Sequence, residues 1–264
     1  NVGLLREAVD GTLCRVILAH HYEPGQTGLK AQPVDVIVTL PISEYLDANN
    51  QKNKQNIERK KKNVMREVRV QGSDAFVIRS VSVLPESIPA GFSVLAGLED
   101  DESLLIVDLG GTTLDVSHVR SKMTGITKTW CDPNIGVSLI TSGVKEQMAV
   151  HANTRVSSFQ ADNIIVHRNE PDYLSRRIYN AEQRESIINV INERQKLLIK
   201  RVNDVISRFT DYTHVMCVGG GAEIVAEAVK NLTKVPDERF YLSSSPQFDL
   251  VMGMIKMKGG VTNE

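Results

Sequence analysis

Asp108 closes the apolar run 104–107 and is followed almost at once by Gly110, Gly111, Thr112 and Thr113. The glycines permit tight backbone geometry and close approach of another group, and the threonines add hydroxyls and amides at the bend. A hairpin tip so rich in donors can hold a phosphate, and a carboxylate at its base can hold a metal-bound water. The same residues also suit a plain structural turn, with Asp108 and the threonines satisfying the backbone. A second run, Gly219, Gly220 and Gly221 with Glu223 just after, joins the apolar "HVMCV" to a helical pattern that starts near Ala222. Helix N-termini offer free amides, and glycines let a planar or anionic ligand lie against the backbone. No Lys-Ser/Thr follows, so this is not a Walker A loop. Glu223 and Ile224 stand where a dinucleotide fingerprint would end. A tight packing turn explains the run equally well. The third candidate is Glu86, set in "PESIPAG" (85–91) between Pro85 and Pro89. A carboxylate so rigidly placed can orient a water for attack on a phosphate. An exposed glutamate near a helix start is the plainer reading.

These residues need elements to carry them. The run 104–107 reads as a buried strand, and Leu114, Val116 and Val119 resume a second one, so the Gly-Thr stretch becomes a hairpin tip. "VDVIVTL" (34–40) is a strand ended by Pro41, and "AFVIRSVSVLP" supplies one or two more before "PESIPAG" opens a helix through Leu98. The stretch 47–56 is polar and reads as an exposed loop, with a helix from Ile57. Residues 125–130 read as a strand and 136–150 as a helix. The longest helix is expected over 181–209, with Ile187, Ile191, Leu198, Val202, Val205 and Phe209 on one stripe. A strand, the glycine run and a helix follow, and "FDLVMGMIKMKG" closes as a helix. Near the start, segments 2–9 and 14–21 read as helical and 23–30 as a loop. Strands and helices mix in the α/β manner.

Bulk properties narrow the function classes. The chain has 264 residues and a formal net charge of -1, so nothing global favours nucleic-acid binding. The basic run 52–69 holds eight Lys/Arg against two Glu but no aromatics, which reads as a solvated helix and loop. Three cysteines, Cys14, Cys131 and Cys217, are scattered, with no zinc or disulfide spacing, which fits a reducing cytosol. Cys217 reads as core, and His20 and His21 as helix residues. No apolar run reaches membrane-spanning length.

In combination the motifs fall in a telling order: the Glu86 segment, a DxGxxT-type hairpin, then a GGGxE turn. The chain resembles the actin–Hsp70–sugar-kinase superfamily and, within it, the ParM (StbA) family of plasmid-partition actin-like ATPases. The resembling segments include "VTLPISEYLDANNQ", "NIERKK", "VLPESIPAGF", "LLIVDLGGTTLDVS", "GVSLITSGVKE", "HVMCVGGGAE", "DERF" and "FDLVMGM", spread over nearly the whole chain. The resemblance implies an α/β, actin-like (ribonuclease H-like) two-domain ATPase fold. Residues 1–103 would be the remainder of domain I, 104–245 domain II, and 246–264 a C-terminal helix returning to domain I. The family's N-terminal Asp-x-Gly phosphate loop has no counterpart here, so the first domain is expected to be incomplete.

The resemblance also implies roles. Asp108 would hold Mg²⁺ through water, and Gly110, Gly111, Thr112 and Thr113 would form a phosphate loop. Glu86 would position the attacking water. Gly219, Gly220, Gly221 and Glu223 would line the adenosine side, Gly136 would lie near the nucleotide, and Glu193 would approach the base or ribose. The implied protein binds ATP and Mg²⁺, hydrolyses ATP, and assembles with itself into filaments that move plasmid copies apart in the bacterial cytoplasm. It would meet DNA only through a DNA-binding adaptor of the ParR type, and no membrane. A chaperone-like or kinase-like ATPase of the superfamily, or a non-catalytic scaffold with the same fold, remain the alternatives.

Overall fold

The computed structural model describes residues 34–66, 78–151 and 154–259. The segments before residue 34, including the expected helices and loop there, lie outside the described residues. The chain divides into two compact units, residues 1–93 with 250–264, and residues 94–249.

In the first unit, β1 (Val34–Leu40) and β2 (Ile78–Pro85) run parallel, with Val36 opposite Val81, Val38 opposite Val83 and Leu40 opposite Pro85. These β-branched runs alternate buried and half-exposed residues, as a strand with one covered face should. Pro41 ends β1 and leads into a short helix, α1 (Ile42–Tyr45). Helix α2 (Lys54–Val64) begins earlier than its apolar pattern suggests. The Asn53 side chain accepts the Asn56 amide at 3.1 Å, and this cap recruits polar residues 54–56 that read as loop. The end of β2 is held to β1, because the Glu86 amide donates to the Leu40 carbonyl at 2.8 Å. A 3-10 turn over Ile88–Gly91 then leads into α3 (Phe92–Gly97).

The second unit is built on a five-stranded sheet. Its strands are β3 (Ser103–Leu109), β4 (Leu114–Arg120), β5 (Ile126–Asp132), β6 (His214–Val218) and β7 (Phe240–Tyr241), in the order β5-β4-β3-β6-β7. β4 is antiparallel to β3 and β5, whereas β6 is parallel to β3 and β7. β3 is covered on both faces, which explains its unbroken apolar run. Leu105, Val107, Leu109, Leu114, Val116, Val215 and Cys217 face one core. That core is completed by α4 (Ser138–His151), α5 (Ser158–Val166), α6 (Pro171–Ser175), α7 (Ala181–Ile206) and α8 (Ala222–Thr233). Burial pushes the Cys217 thiol up to about 12, so it stays a protonated, inert core group.

Asn180 caps α7 by accepting the Glu182 and Gln183 amides at 2.8 and 3.2 Å. The whole expected stripe, from Ile187 to Phe209, is buried, although α7 ends at Ile206 rather than at 209 and Phe209 follows its C-cap Ser207. Gly143 lets α4 approach α7 closely, since a Cβ there would lie 2.9 Å from Val190 Cγ1. At the start of β3 a polar network ties the sheet together. Ser103 Oγ bonds His118 Nε2 at 2.9 Å, and Thr213 Oγ1 bonds both the Ser103 carbonyl at 2.9 Å and His214 Nδ1 at 2.8 Å. The chain ends its described part in α9 (Asp249–Lys258). Among the described residues no helix is long and apolar enough to cross a membrane.

Candidate functional site

Three loops of the second unit converge where β3 ends. The first is the hairpin tip. The Gly110 amide donates to the Thr113 carbonyl at 2.9 Å, which closes a tight turn and leaves Gly111 and Thr112 outermost. The second loop precedes α4. The Val137 and Ser138 amides donate to the Gly110 and Gly111 carbonyls at 3.1 and 2.7 Å. Gly136 makes that approach possible, because a Cβ there would lie 2.6 Å from the Gly111 carbonyl oxygen. The third loop precedes α8. The Gly221 amide donates to the Leu109 carbonyl at 2.9 Å, and a Cβ on Gly221 would lie 2.7 Å from both Leu109 Cδ2 and Val137 Cγ2. Gly219 has φ of 88°, the left-handed region that favours glycine, and any Cβ there would overlap Asp108 Oδ1.

The sequence therefore places together Asp108, Gly110, Gly111, Thr112, Thr113, Gly136, Gly219, Gly220 and Gly221. Glu223 lies in the first turn of α8, exposed and next to this group in the chain. Gly136, Gly219 and Gly221 are glycines because other parts of the chain press on them. Gly111 and Gly220 are different. A Cβ on either would meet nothing within 4 Å, so no contact inside the protein demands the small residue. Both are exposed, whereas Asp108, near the end of β3, is half-buried.

Asp108 does not stand alone. It pairs in register with Asp115 across the β3–β4 ladder, so the two carboxyls share one face of the sheet. Asp115 is only 4% exposed. Burial raises its pKa above the ordinary carboxylate value, and hydrogen bonds from the Cys131 thiol and the Thr113 hydroxyl offset part of that shift. Its Oδ1 has no hydrogen-bond partner. Reading residues one motif at a time passes Asp115 over as part of the second strand. The signal was present: with the tip fixed at residues 110–113, strand alternation puts Asp115 on the Asp108 face.

Among the described residues no three His, Cys, Asp or Glu side chains gather as a self-sufficient metal site. A hydrated hard cation shared with a ligand's phosphates needs only one or two carboxylates and keeps several waters. Asp108, the loop hydroxyls and the unmet Asp115 oxygen fit that requirement.

Glu193 lines an open cleft of about 360 Å³ along α4 and α7, with Gln147, Glu182, Glu185 and Asn189. Gln147 lies nine residues along α4 from Ser138, roughly 14 Å at the helical rise.

Glu86 belongs to the first unit. It follows β2 directly, half-buried, and its carbonyl accepts the Ile88 amide at 2.8 Å. That bond spans Ser87, whose φ of 67° and ψ of -47° define a γ-turn of the rare, strained kind. Ser87 is fully buried and its hydroxyl has no partner. In the same unit, the Pro89 carbonyl packs so tightly on Gly253 of α9 that a Cβ at 253 would overlap it. Lys256 of α9 donates to Ser93 Oγ at 2.8 Å.

The fold has counterparts among solved structures. A 15-stranded ParM filament from Clostridium botulinum matches with a TM-score of 0.66 at 14% identity, over 96% of this chain and 75% of that one. The archaeal actin homologue Ta0583, in complex with ADP, matches with a TM-score of 0.64 at 14% identity, over 93% and 77%. MreB5 of Spiroplasma citri bound to AMPPNP gives 0.58 at 14% identity, over 93% and 74%. At such identities the likeness is one of fold. None of the curated proteins matches the chain. Family models are decisive where single relatives are not: "Plasmid segregation protein ParM, N-terminal" matches residues 13–97, and "Plasmid segregation protein ParM, C-terminal" matches residues 98–257. The chain belongs to the ParM plasmid-segregation family and has its actin-like α/β fold.

Proposed function

We propose that the protein binds and hydrolyses ATP and that the nucleotide state controls its assembly into filaments that segregate plasmids. The observation that carries this reading is the pair of sterically unconstrained glycines, Gly111 and Gly220, in two of the loops that meet at the end of β3. Backbone left bare with no internal reason suits a ligand that lies against it. Family membership supports the reading, as do the nucleotide complexes and the filament formed by proteins of the same fold.

In this reading the residues divide the work. Amides and hydroxyls of the 110–113 tip take the terminal phosphates, and the 219–221 turn with Glu223 takes the adenosine side. The α4–α7 cleft at Glu193 is within a nucleotide's span of the tip and takes the base or ribose. Asp108 holds water in the shell of Mg²⁺, which when bound neutralises charge that builds on the phosphates. Glu86 orients the attacking water. Most of the rate enhancement comes from positioning and from fixed donors, which need no reorganisation during the reaction. The two compact units correspond to the actin-like domains I and II. Head-to-tail contacts between copies that do not close into a ring produce a filament. With a net charge of -1, the chain is suited to reach DNA through a basic adaptor of the ParR type in the bacterial cytoplasm.

Asp108→Ala tests the centre of this reading. Turnover of ATP with Mg²⁺ is expected to fall at least tenfold, about 1.4 kcal/mol of transition-state stabilisation, with an unchanged circular dichroism spectrum. Turnover within about threefold of wild type would remove Asp108 from the metal role.

A further inference from the structure

β5 lies at one margin of the second unit's sheet and pairs with β4 alone. None of its seven residues is fully buried, although β4 beside it is buried over almost its whole length. Alternate residues of β5 turn their amides and carbonyls away from β4, and among the described residues no strand takes them. Such an edge is a template for a further strand. Its side chains restrict which strand. Lys128, Trp130 and Asp132 alternate onto one face. A lysine on an edge ordinarily repels an added strand, unless that strand brings an acid opposite it. Asp132 likewise calls for a base. In antiparallel pairing the added strand must then carry a base and, four residues later, an acid. Among the described strands β5 alone has that spacing, so its own sequence is its complement.

Both charges can take a further contact. The Lys128 ammonium donates to the Arg208 carbonyl and has two more donors. Asp132 Oδ1 accepts the Asn134 amide at 2.9 Å, which leaves Oδ2. Four residues of extended strand separate the two side chains by roughly 13 Å, so they cannot pair within one chain.

We propose that β5 joins two copies of the chain by antiparallel pairing centred on Trp130, with Lys128 of each copy opposite Asp132 of the other. The junction is two-fold, so each copy supplies the same strand and the same two charges. Trp130 stands opposite its own equivalent, and aromatic pairs of this kind stabilise a ladder. Arg208, stacked 4.2 Å from the Trp130 ring, holds the indole on that face. One strand edge covers less surface than a tight dimer needs, so the contact between two free chains is weak. In a filament, copies held in a row engage many edges at once, and weak contacts add.

The test is charge reversal, read by sedimentation of the nucleotide-free chain at concentrations up to about 1 mM, the range a contact of this size calls for. Wild type is expected to pass from monomer to dimer. Lys128→Glu sets an acid against Asp132, and Asp132→Lys sets a base against Lys128. Each alone should weaken the dimer at least tenfold. An equimolar mixture of the two variants restores both opposite-charge pairs in a heterodimer and should associate as wild type does. Salt supplies a reading that needs no variant. Raising it from about 0.05 M to about 0.5 M should weaken the wild-type dimer at least threefold, because exposed charge pairs are screened. A wild type that stays monomeric overturns the proposal and leaves the edge to a strand of another protein or to none. Association that ignores salt, or that is unchanged in both variants, places the contact elsewhere and overturns it too. So does a mixture of folded variants, checked by circular dichroism, that fails to associate.

Discussion

At Gly219 a hydrogen in place of a side chain decides where Asp108 can point. The backbone is left-handed there, and a methyl would overlap the Asp108 carboxylate. Gly219→Ala is therefore expected to cost on the order of 1–3 kcal/mol in stability, read from chemical unfolding, and to lower nucleotide affinity by displacing Asp108. Gly220→Ala separates packing from binding. Its Cβ meets nothing within 4 Å, so the unfolding midpoint should stay close to wild type while nucleotide affinity falls as the methyl enters ligand space. Equal affinity for Gly220→Ala and wild type would show that the open side of the turn faces no ligand. At this scale the sequence was readable wherever glycines and acids stand side by side. Asp108, the hairpin tip and the 219–221 turn announce themselves. Asp115 does not, since its partnership with Asp108 exists only through strand register. Ser87 does not either, because nothing in its residue type signals a positive φ.

Among the elements, the connection after β2 carries a strained turn. The γ-turn at Ser87 is fixed from both sides, by the Glu86 amide on the Leu40 carbonyl and by the Pro89 carbonyl against Gly253. Strain of this kind persists only where the surroundings over-determine it, and here it sets the exit direction of Glu86. Glycine adopts such a φ freely. Ser87→Gly should therefore raise stability by about 1 kcal/mol and, by loosening Glu86, slow ATP hydrolysis more than it weakens ATP binding. Phosphate release under saturating ATP measures the first effect and calorimetry the second. A variant more stable and fully active would separate the strain from Glu86's role. Other elements were legible to different degrees. The α7 stripe runs for about five turns, from Ile187 to Ile206, and reads as a helix facing a core. α5 and α6 are short, and their apolar residues repeat too few times to set a period. β7 has two residues and exists as a strand only because β6 pairs with it. The early start of α2 depended on a capping side chain rather than on any apolar pattern.

For the molecule as a whole, acid should be the weak direction. Burial lowers the pKa of both His118 and His214 below the ordinary 6.5; for His118 the nearby Asp211 pulls upward and Arg120 downward, and for His214 Glu102 and Arg239 do the same. Their neutral forms sit in the Ser103–Thr213 network that fastens β3 to β4 and β6. The unfolded chain takes up protons near pH 6.5 that the folded chain refuses, so stability is intact above that value and falls as pH drops through the window below it. Urea midpoints should be lower at pH 5.5 than at pH 7.5, and substituting both histidines by glutamine should flatten the difference. A midpoint that does not move between these pH values would mean the two rings titrate alike folded and unfolded. Asp115 acts with the opposite sign in the more acid range, since its raised pKa makes the folded chain the better proton acceptor there.

The two units are not equals in the order of the chain. Residues 94–249 form one uninterrupted stretch, while the first unit needs residues from both sides of it. On a ribosome adding about 5–20 residues per second, roughly ten to thirty seconds separate the emergence of Pro89 from that of Gly253. The strands of the second unit emerge one after another during that interval and are complete only about a dozen residues before Gly253, and the Glu86 turn lacks throughout the helix that bears on its Pro89 carbonyl. The nascent first unit must wait with β1 and β2 made but without that helix, exposed to chaperones and to neighbouring nascent chains. Slow codons placed within 94–249 would lengthen that wait without altering a residue of the protein.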